Sequence, residues 1–287
     1  MTPAELKKYT RQRVIDIVNR SAKNHLSGFD EKCWDSPLVG IARGDDPLFT
    51  DYKRIIDSSY WTPLEAMQQE YPDETIEVEN LSVISWILPQ TEQTLIDQRT
   101  EDKLPAARWI YSRHFGEKFN EYLRLKLRNE YRVKGIRATA PALSRSWDYR
   151  HSKQAGIYSN WSERHTAYVA GLGTFGLSDG FITEKGKAVR IGSIVVDTVI
   201  EPDQRSFVSH TQNCLYLAQG TCGICIRRCP IGAITKQGHD KQMCHDYIRN
   251  VTSPYAKQVS GKIVTPCGLC QVKVPCEKIN PLKASLI

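Results

Sequence analysis

The sequence predicts a mixed α/β protein of the α+β kind, with a body over residues 1–205 followed by a small cysteine-rich module over 206–287. Three observations predict this. Helical and strand hydrophobic periods alternate through the body. The polar stretch Glu201-Pro202-Asp203-Gln204-Arg205 then breaks the chain after its strongest strand pattern. Eight of the nine cysteines lie beyond that break. The composition, 40% hydrophobic and 25% charged, is that of a soluble globular chain. Uninterrupted apolar runs such as Ile194 to Val196 are far short of the ~20 residues a membrane span needs. The first residues, MTPAELKKYTRQRVIDIVNR, carry neither an apolar signal core nor paired export arginines, so a cytoplasmic protein with no membrane partner is expected.

Thr2-Pro3-Ala4-Glu5 has the chemistry of a helix start: Thr2 as cap, Pro3 suited to the first turn, Glu5 able to reach back. A helix through Asn19 follows, with Leu6, Tyr9, Val14, Ile17 and Val18 recurring on one face. Pro37 to Ala42 and Asn80 to Leu88 read as strands, the second ended by Pro89. Tyr111 to Tyr131 is the clearest helix: Phe115, Phe119, Tyr122, Leu123 and Leu127 share one side, and the other side is basic. Arg137 to Ser162 mixes Pro, Ser, Gly and aromatics without period and is expected to be a long functional loop. Ser162 to Ala170 predicts a short helix, Gly171 to Gly180 a glycine-rich turn region, and Val189 to Val199 a strong strand.

A cytosolic chain does not keep disulfides, so the clustered thiols point to metal. The run Cys222-Gly223-Ile224-Cys225-Ile226-Arg227-Arg228-Cys229-Pro230 resembles the second half of the bacterial ferredoxin run, whose last cysteine serves the other cluster. Gln219 stands where the first cysteine of that run belongs, and Cys214 is the substitute upstream. Cys244, Cys267, Cys270 and Cys276 supply four more thiols. The ferredoxin crossover then implies one 4Fe-4S cluster on Cys214, Cys222, Cys225 and Cys276, and a second on Cys229, Cys244, Cys267 and Cys270. Zinc is the competing reading. A zinc ribbon brings its two CxxC pairs within ~20 residues, whereas Cys225 and Cys267 are much further apart, and a Cys-Pro-x-Gly-Ala-Ile run has no part in one. Cys33, the ninth, is expected to be a buried free thiol. The net charge of +7 invites a nucleic-acid reading, but two clusters with their thiolates would leave only about +3.

Two glycine patterns match short motifs without their context. Gly171-Leu172-Gly173-Thr174-Phe175-Gly176 is a literal GxGxxG, yet it follows a helix pattern and opens no helix, which argues against a dinucleotide site. Gly176-Leu177-Ser178-Asp179-Gly180 is a literal GxSxG, but a strand pattern follows where a nucleophile elbow needs a helix. These glycines permit either a close turn or the approach of backbone to a large flat ligand.

The order of Glu163-Arg164, Ala170-Gly171-Leu172-Gly173, a Val-Arg-Ile-Gly strand ending in Asp197, and a two-cluster tail resembles the epoxyqueuosine reductase and reductive dehalogenase superfamily, best over residues 135 to 280. The resemblance implies a nitroreductase-like domain that holds cobalamin base-off, followed by a ferredoxin-like domain. Electrons would pass from the distal to the proximal cluster and on to cobalt. Gly171, Leu172, Gly173, Thr174, Phe175 and Gly176 would lie against the corrin. The chain resembles a short member: the helical-repeat extension associated with tRNA is missing, and so is the Asp-Ser-Ala-Pro-type segment with its proton-donating aspartate. Counting back from Glu163 puts Ile157-Tyr158-Ser159-Asn160 there. Reductive dehalogenases use a tyrosine, so Tyr158 is the expected donor, with Asp148, Tyr149, His151 and His165 behind it.

Between Arg108 and Arg137 nine Lys or Arg face three Glu, which reads as a solvated helix face or a site for RNA phosphates. The leading expectation is a cobalamin- and 4Fe-4S-dependent reductase acting on a small substrate, fed by a low-potential ferredoxin- or flavodoxin-like donor. The competing readings are an electron-transfer or corrinoid-activating protein without its own substrate, and a tRNA epoxyqueuosine reductase-like enzyme.

Overall fold

Thr2 and Glu5 close the expected capping box: the Glu5 amide donates to Thr2 Oγ1 at 3.2 Å and the Thr2 amide to Glu5 Oε2 at 2.7 Å. The computed structural model describes residues 1–284. The body runs α1 (Pro3–Arg20), β1 (Leu38–Arg43), α2 (Pro47–Ile55), α3 (Pro63–Gln68), β2 (Leu81–Pro89), α4 (Glu92–Arg99), α5 (Ala107–Tyr111), α6 (Glu117–Val133), β3 (Ala138–Thr139), β4 (Tyr149–Ser152), β5 (Gly156–Ser159), α7 (Glu163–Val169), β6 (Gly173–Phe175), β7 (Phe181–Thr183) and β8 (Val189–Asp197). The cysteine-rich part adds α8 (Leu215–Gln219), α9 (Ile224–Arg228), β9 (Ile234–Thr235), β10 (Gly238–His239), α10 (Lys241–Tyr247), α11 (Ser253–Ser260) and α12 (Pro281–Ala284). Among the described residues no helix is long and apolar enough to cross a membrane.

The sheet has the order β1-β2-β8-β3 and is antiparallel throughout. β2 is buried along its whole length because helices cover both faces, which is why it reads as a continuous apolar run. On one face Trp86 and Ile194 pack with Val14, Val18, Phe119 and Leu127 of α1 and α6. On the other, Val83 and Val195 pack with Phe49, Tyr60, Met67 and Trp161. The glycine of the Val-Arg-Ile-Gly strand has a packing reason: a Cβ on Gly192 would come within 2.6 Å of the Trp86 ring and of Asn120 Oδ1.

The stretch from Arg137 to Ser162 is a long loop with short structured pieces, the β4–β5 hairpin among them. Two stretches differ from expectation. The helix expected over 111–131 is interrupted by a π-helical turn at Ser112–Gly116, where the Gly116 carbonyl accepts from Trp34 Nε1 at 3.0 Å. The glycine-rich turn region is a second hairpin, β6–β7, tightened by a 2.8 Å hydrogen bond from the Gly176 amide to the Gly180 carbonyl.

The cysteine-rich part is tied closely to the body. Leu177 and Ile182 share an apolar cluster with Cys214, Cys225 and Ile234. Val272 packs with Leu95, Ala106, Trp109 and Ala188. Gln98 Nε2 donates to the Cys267 carbonyl at 2.8 Å, Arg99 pairs with the buried Glu277, and Arg228 binds Asp102 at 2.7 Å.

Candidate functional site

The eight tail cysteines are all free thiols, and the fold gathers them into one layer, in which Cys225 also interacts with Cys270. Cys214, Cys222, Cys225 and Cys276 line one small cavity together with Leu177, Ile182 and Lys187. Cys229, Cys244, Cys267 and Cys270 interact electrostatically with one another. In each Cys-Gly-x-Cys segment the glycine takes a positive φ, +114° at Gly223 and +70° at Gly268, which turns the chain back between the two thiols. Only glycine fits at 268, since a Cβ there would lie 2.1 Å from the Trp109 ring.

Burial pushes the Cys225 and Cys244 thiols up to about 11 and Cys267 up to about 12, and their mutual repulsion adds to the rise. Such thiols lose their protons to a cationic centre. Among the described residues no three His, Cys, Asp or Glu side chains are close enough to hold a single metal ion. Thiols set around a cavity suit a cluster, whose iron corners stand apart, and the donor set of two thiol quartets fits that group.

Beside this cysteine layer lies a cleft of about 540 Å³. α6, the β4–β5 hairpin, α7, β7 and β8 form its walls, with Trp147, Trp161, Phe181 and Ile191 as its apolar surfaces. Its floor is a buried ion network. Arg124, 3% exposed, pairs with Glu117 at 3.2 Å and Glu163 at 3.0 Å, and Glu117 also binds Arg190. Although burial works against ionisation of Glu117, the guanidiniums of Arg190, Arg124 and Arg113 hold its carboxyl down at about 2. Burial lowers Arg113 to about 10, helped by its neighbour Arg190, and its nearest partners, Glu117 and Thr265, are 3.4 and 3.5 Å away. Among the described lining residues none is His, Cys or Met.

The six residues expected against a corrin are not among those that line this cleft. Gly171 and Leu172 line a different pocket, near Arg11, Asp203 and Lys283. A Cβ on Gly173 would lie 2.4 Å from the Ile182 carbonyl, so this glycine admits the neighbouring strand. Thr174 Oγ1 accepts from the Asn213 amide, Phe175 packs on His165 and Phe181, and Gly176 lines the cysteine cavity. Tyr158 Oη is hydrogen-bonded to Ser59 at 2.9 Å, and Tyr158 is absent from the cleft's lining residues, whereas Tyr149 and Ser159 are among them. His165 is wedged against Tyr52, Tyr60 and Phe175, and burial drops its imidazole to about 3.

The basic run is largely spent in ion pairs. Arg108 pairs with Glu31 and Asp97, Lys126 with Glu130, Arg132 with Glu70, and Arg137 with Glu74 and Asp197. Sequence reasoning missed Lys187, which is 3% exposed and lines both the cysteine cavity and the cleft. Its flanks, Gly186 and Ala188, give no sign of burial beyond their small size.

No family model matches the chain, and neither does any curated protein. Solved structures do. A reductive dehalogenase, whose structure suggests a mechanism for B12-dependent dehalogenation, matches with a TM-score of 0.52 at 15% identity over 98% of this chain. The chain shares the reductive dehalogenase fold. A catabolic reductive dehalogenase in complex with 3-bromo-4-hydroxybenzoic acid matches with a TM-score of 0.51 at 15% identity over 96% of the chain. Epoxyqueuosine reductase from Bacillus subtilis gives 0.49 at 15% identity over 96%. The chain spans 38% and 37% of those two dehalogenases and 66% of the reductase. At the level of fold, the resemblance carried by the Glu-Arg pair, the Ala-Gly-Leu-Gly turn and the cysteine tail is borne out.

Proposed function

We propose that the chain is an oxidoreductase, a cobalamin-dependent iron–sulfur reductase in which two 4Fe-4S clusters pass electrons to a base-off corrinoid in the cleft. The observation that supports this reading is the gathering of the tail cysteines into a layer directly beside that cleft, four of them around one cavity. Cys214, Cys222, Cys225 and Cys276 would hold one cluster, and Cys229, Cys244, Cys267 and Cys270 the other. When bound, the corrinoid would supply low-potential reducing chemistry at its metal.

The chain's own residues have three tasks. Arg113 and Arg190 orient a small substrate by its polar groups, Trp147 and Trp161 exclude water, and Tyr149 holds a proton at its phenol for the reduced product. The electrons come from a ferredoxin- or flavodoxin-like donor. The pairing of Arg124, Lys126, Arg132 and Arg137 with carboxylates favours a small substrate over tRNA.

Protein purified without oxygen should contain about eight iron atoms per chain, and titration with cobalamin should give a base-off spectrum that stays with the protein on gel filtration. Zinc without iron, or iron for one cluster only, refutes the reading. Full iron with no cobalamin retention leaves an electron-transfer or corrinoid-activating protein.

A further inference from the structure

Lys187 belongs to two spaces at once. It lines the cavity framed by Cys214, Cys222, Cys225 and Cys276, and it lines the cleft with Trp161, Phe181 and Arg190. Its side chain is buried, and its Nζ donates to Ser178 Oγ at 3.1 Å. Among the described residues it forms no ion pair with a carboxylate, although burying a lone cation is costly. The groups it faces are the sulfurs of Cys276, Cys270, Cys225 and Cys214, which would be thiolates once they hold clusters.

The GxSxG turn explains how this arrangement is held. The Gly176 and Gly180 backbones close the turn, and Asp179 takes a φ of +54° within it. Between them Ser178 accepts from Lys187 and is hydrogen-bonded to the Cys270 side chain. The motif thus aims a hydroxyl into the cysteine layer.

We propose that Lys187, held by Ser178 between the two cysteine quartets and the cleft, is a positioning residue for electrons: its buried ammonium raises the reduction potential of the adjacent clusters. This rests on the cluster reading above. In the step concerned an external low-potential donor loses one electron and an oxidised cluster gains it. No bond is made or broken, and the added negative charge is balanced by the ammonium already in place, without a proton transfer. Net charge and hydrogen bonds around the sulfurs are what set such potentials.

The test is a redox titration of the reconstituted full chain followed by electron paramagnetic resonance, with iron measured on every sample. Lys187→Met and Lys187→Gln should each weaken the reduction equilibrium of at least one cluster about tenfold, which is 59 mV for one electron. Lys187→Arg should stay within about threefold of the parent, and Ser178→Ala should shift the same way by less. Unchanged potentials in iron-replete neutral variants overturn the proposal. So does loss of iron from both neutral variants while Lys187→Arg keeps it, because the charge would then serve assembly. If the unaltered chain itself takes up no iron, the cluster reading fails first, and that outcome is distinct from the others.

Discussion

Tyr149 and Tyr158 stand on paired strands of one hairpin, and the pleat sends them to opposite faces. Tyr149 pairs with Ser159 and Arg150 with Tyr158. Side chains alternate along a strand, so Tyr149 and Ser159 line the cleft while Tyr158 turns to Ser59. Counting back from Glu163 leads to this hairpin but not to the face each residue takes, because register belongs to the hairpin. Tyr149→Phe should therefore slow turnover by about 10²-fold, the usual contribution of a general acid, with the cluster and cobalamin spectra unchanged. Tyr158→Phe should alter turnover by less than about threefold, since it removes one ordinary hydrogen bond away from the cleft. Single-turnover rates measured on both variants with any accepted substrate decide the matter, and the reverse ranking returns the donor role to Tyr158.

At the scale of elements, the β6–β7 hairpin does the work first assigned to a ligand-facing loop. Gly173 pairs with Thr183, and its missing side chain leaves room for the Ile182 carbonyl. The same hairpin sends Leu177 and Ile182 into the cysteine cluster and Ser178 to Lys187. A methyl group at 173 would press on backbone, which cannot move aside without opening the hairpin. Gly173→Ala should cost about 1–3 kcal/mol of stability, the range for overpacking a close contact, and should loosen iron retention with no cobalamin present. Denaturant melts and iron analysis on the cobalamin-free protein check this. A variant that melts like the parent and loses only cobalamin would place the glycine against the corrin instead.

Across the whole molecule, what the sequence made readable is what local patterns encode: the capped first helix, β1, β2 and β8. The cleft was not readable. Its floor joins Glu117, Arg124, Glu163 and Arg190 from three elements far apart in sequence, and only the antiparallel sheet order brings them together. The π-helical turn that carries Arg113 is bonded to the Trp34 indole, a contact that no local pattern reveals. Composition changes at residue 206, and side-chain contacts cross that point. Val272 sits in a body cluster, Gln98 holds the Cys267 carbonyl, Gly268 fits under Trp109, and the buried Glu277 pairs with Arg99. A core shared in this way should melt as one unit. Removing the clusters with a chelator and an oxidant should lower the melting temperature of the whole chain in a single calorimetric transition, because the bonds to the cluster that tie these segments together are lost. Two separate transitions, with the upper one indifferent to iron, would show that the body folds without the cysteine-rich part and that these contacts only dock one domain on another.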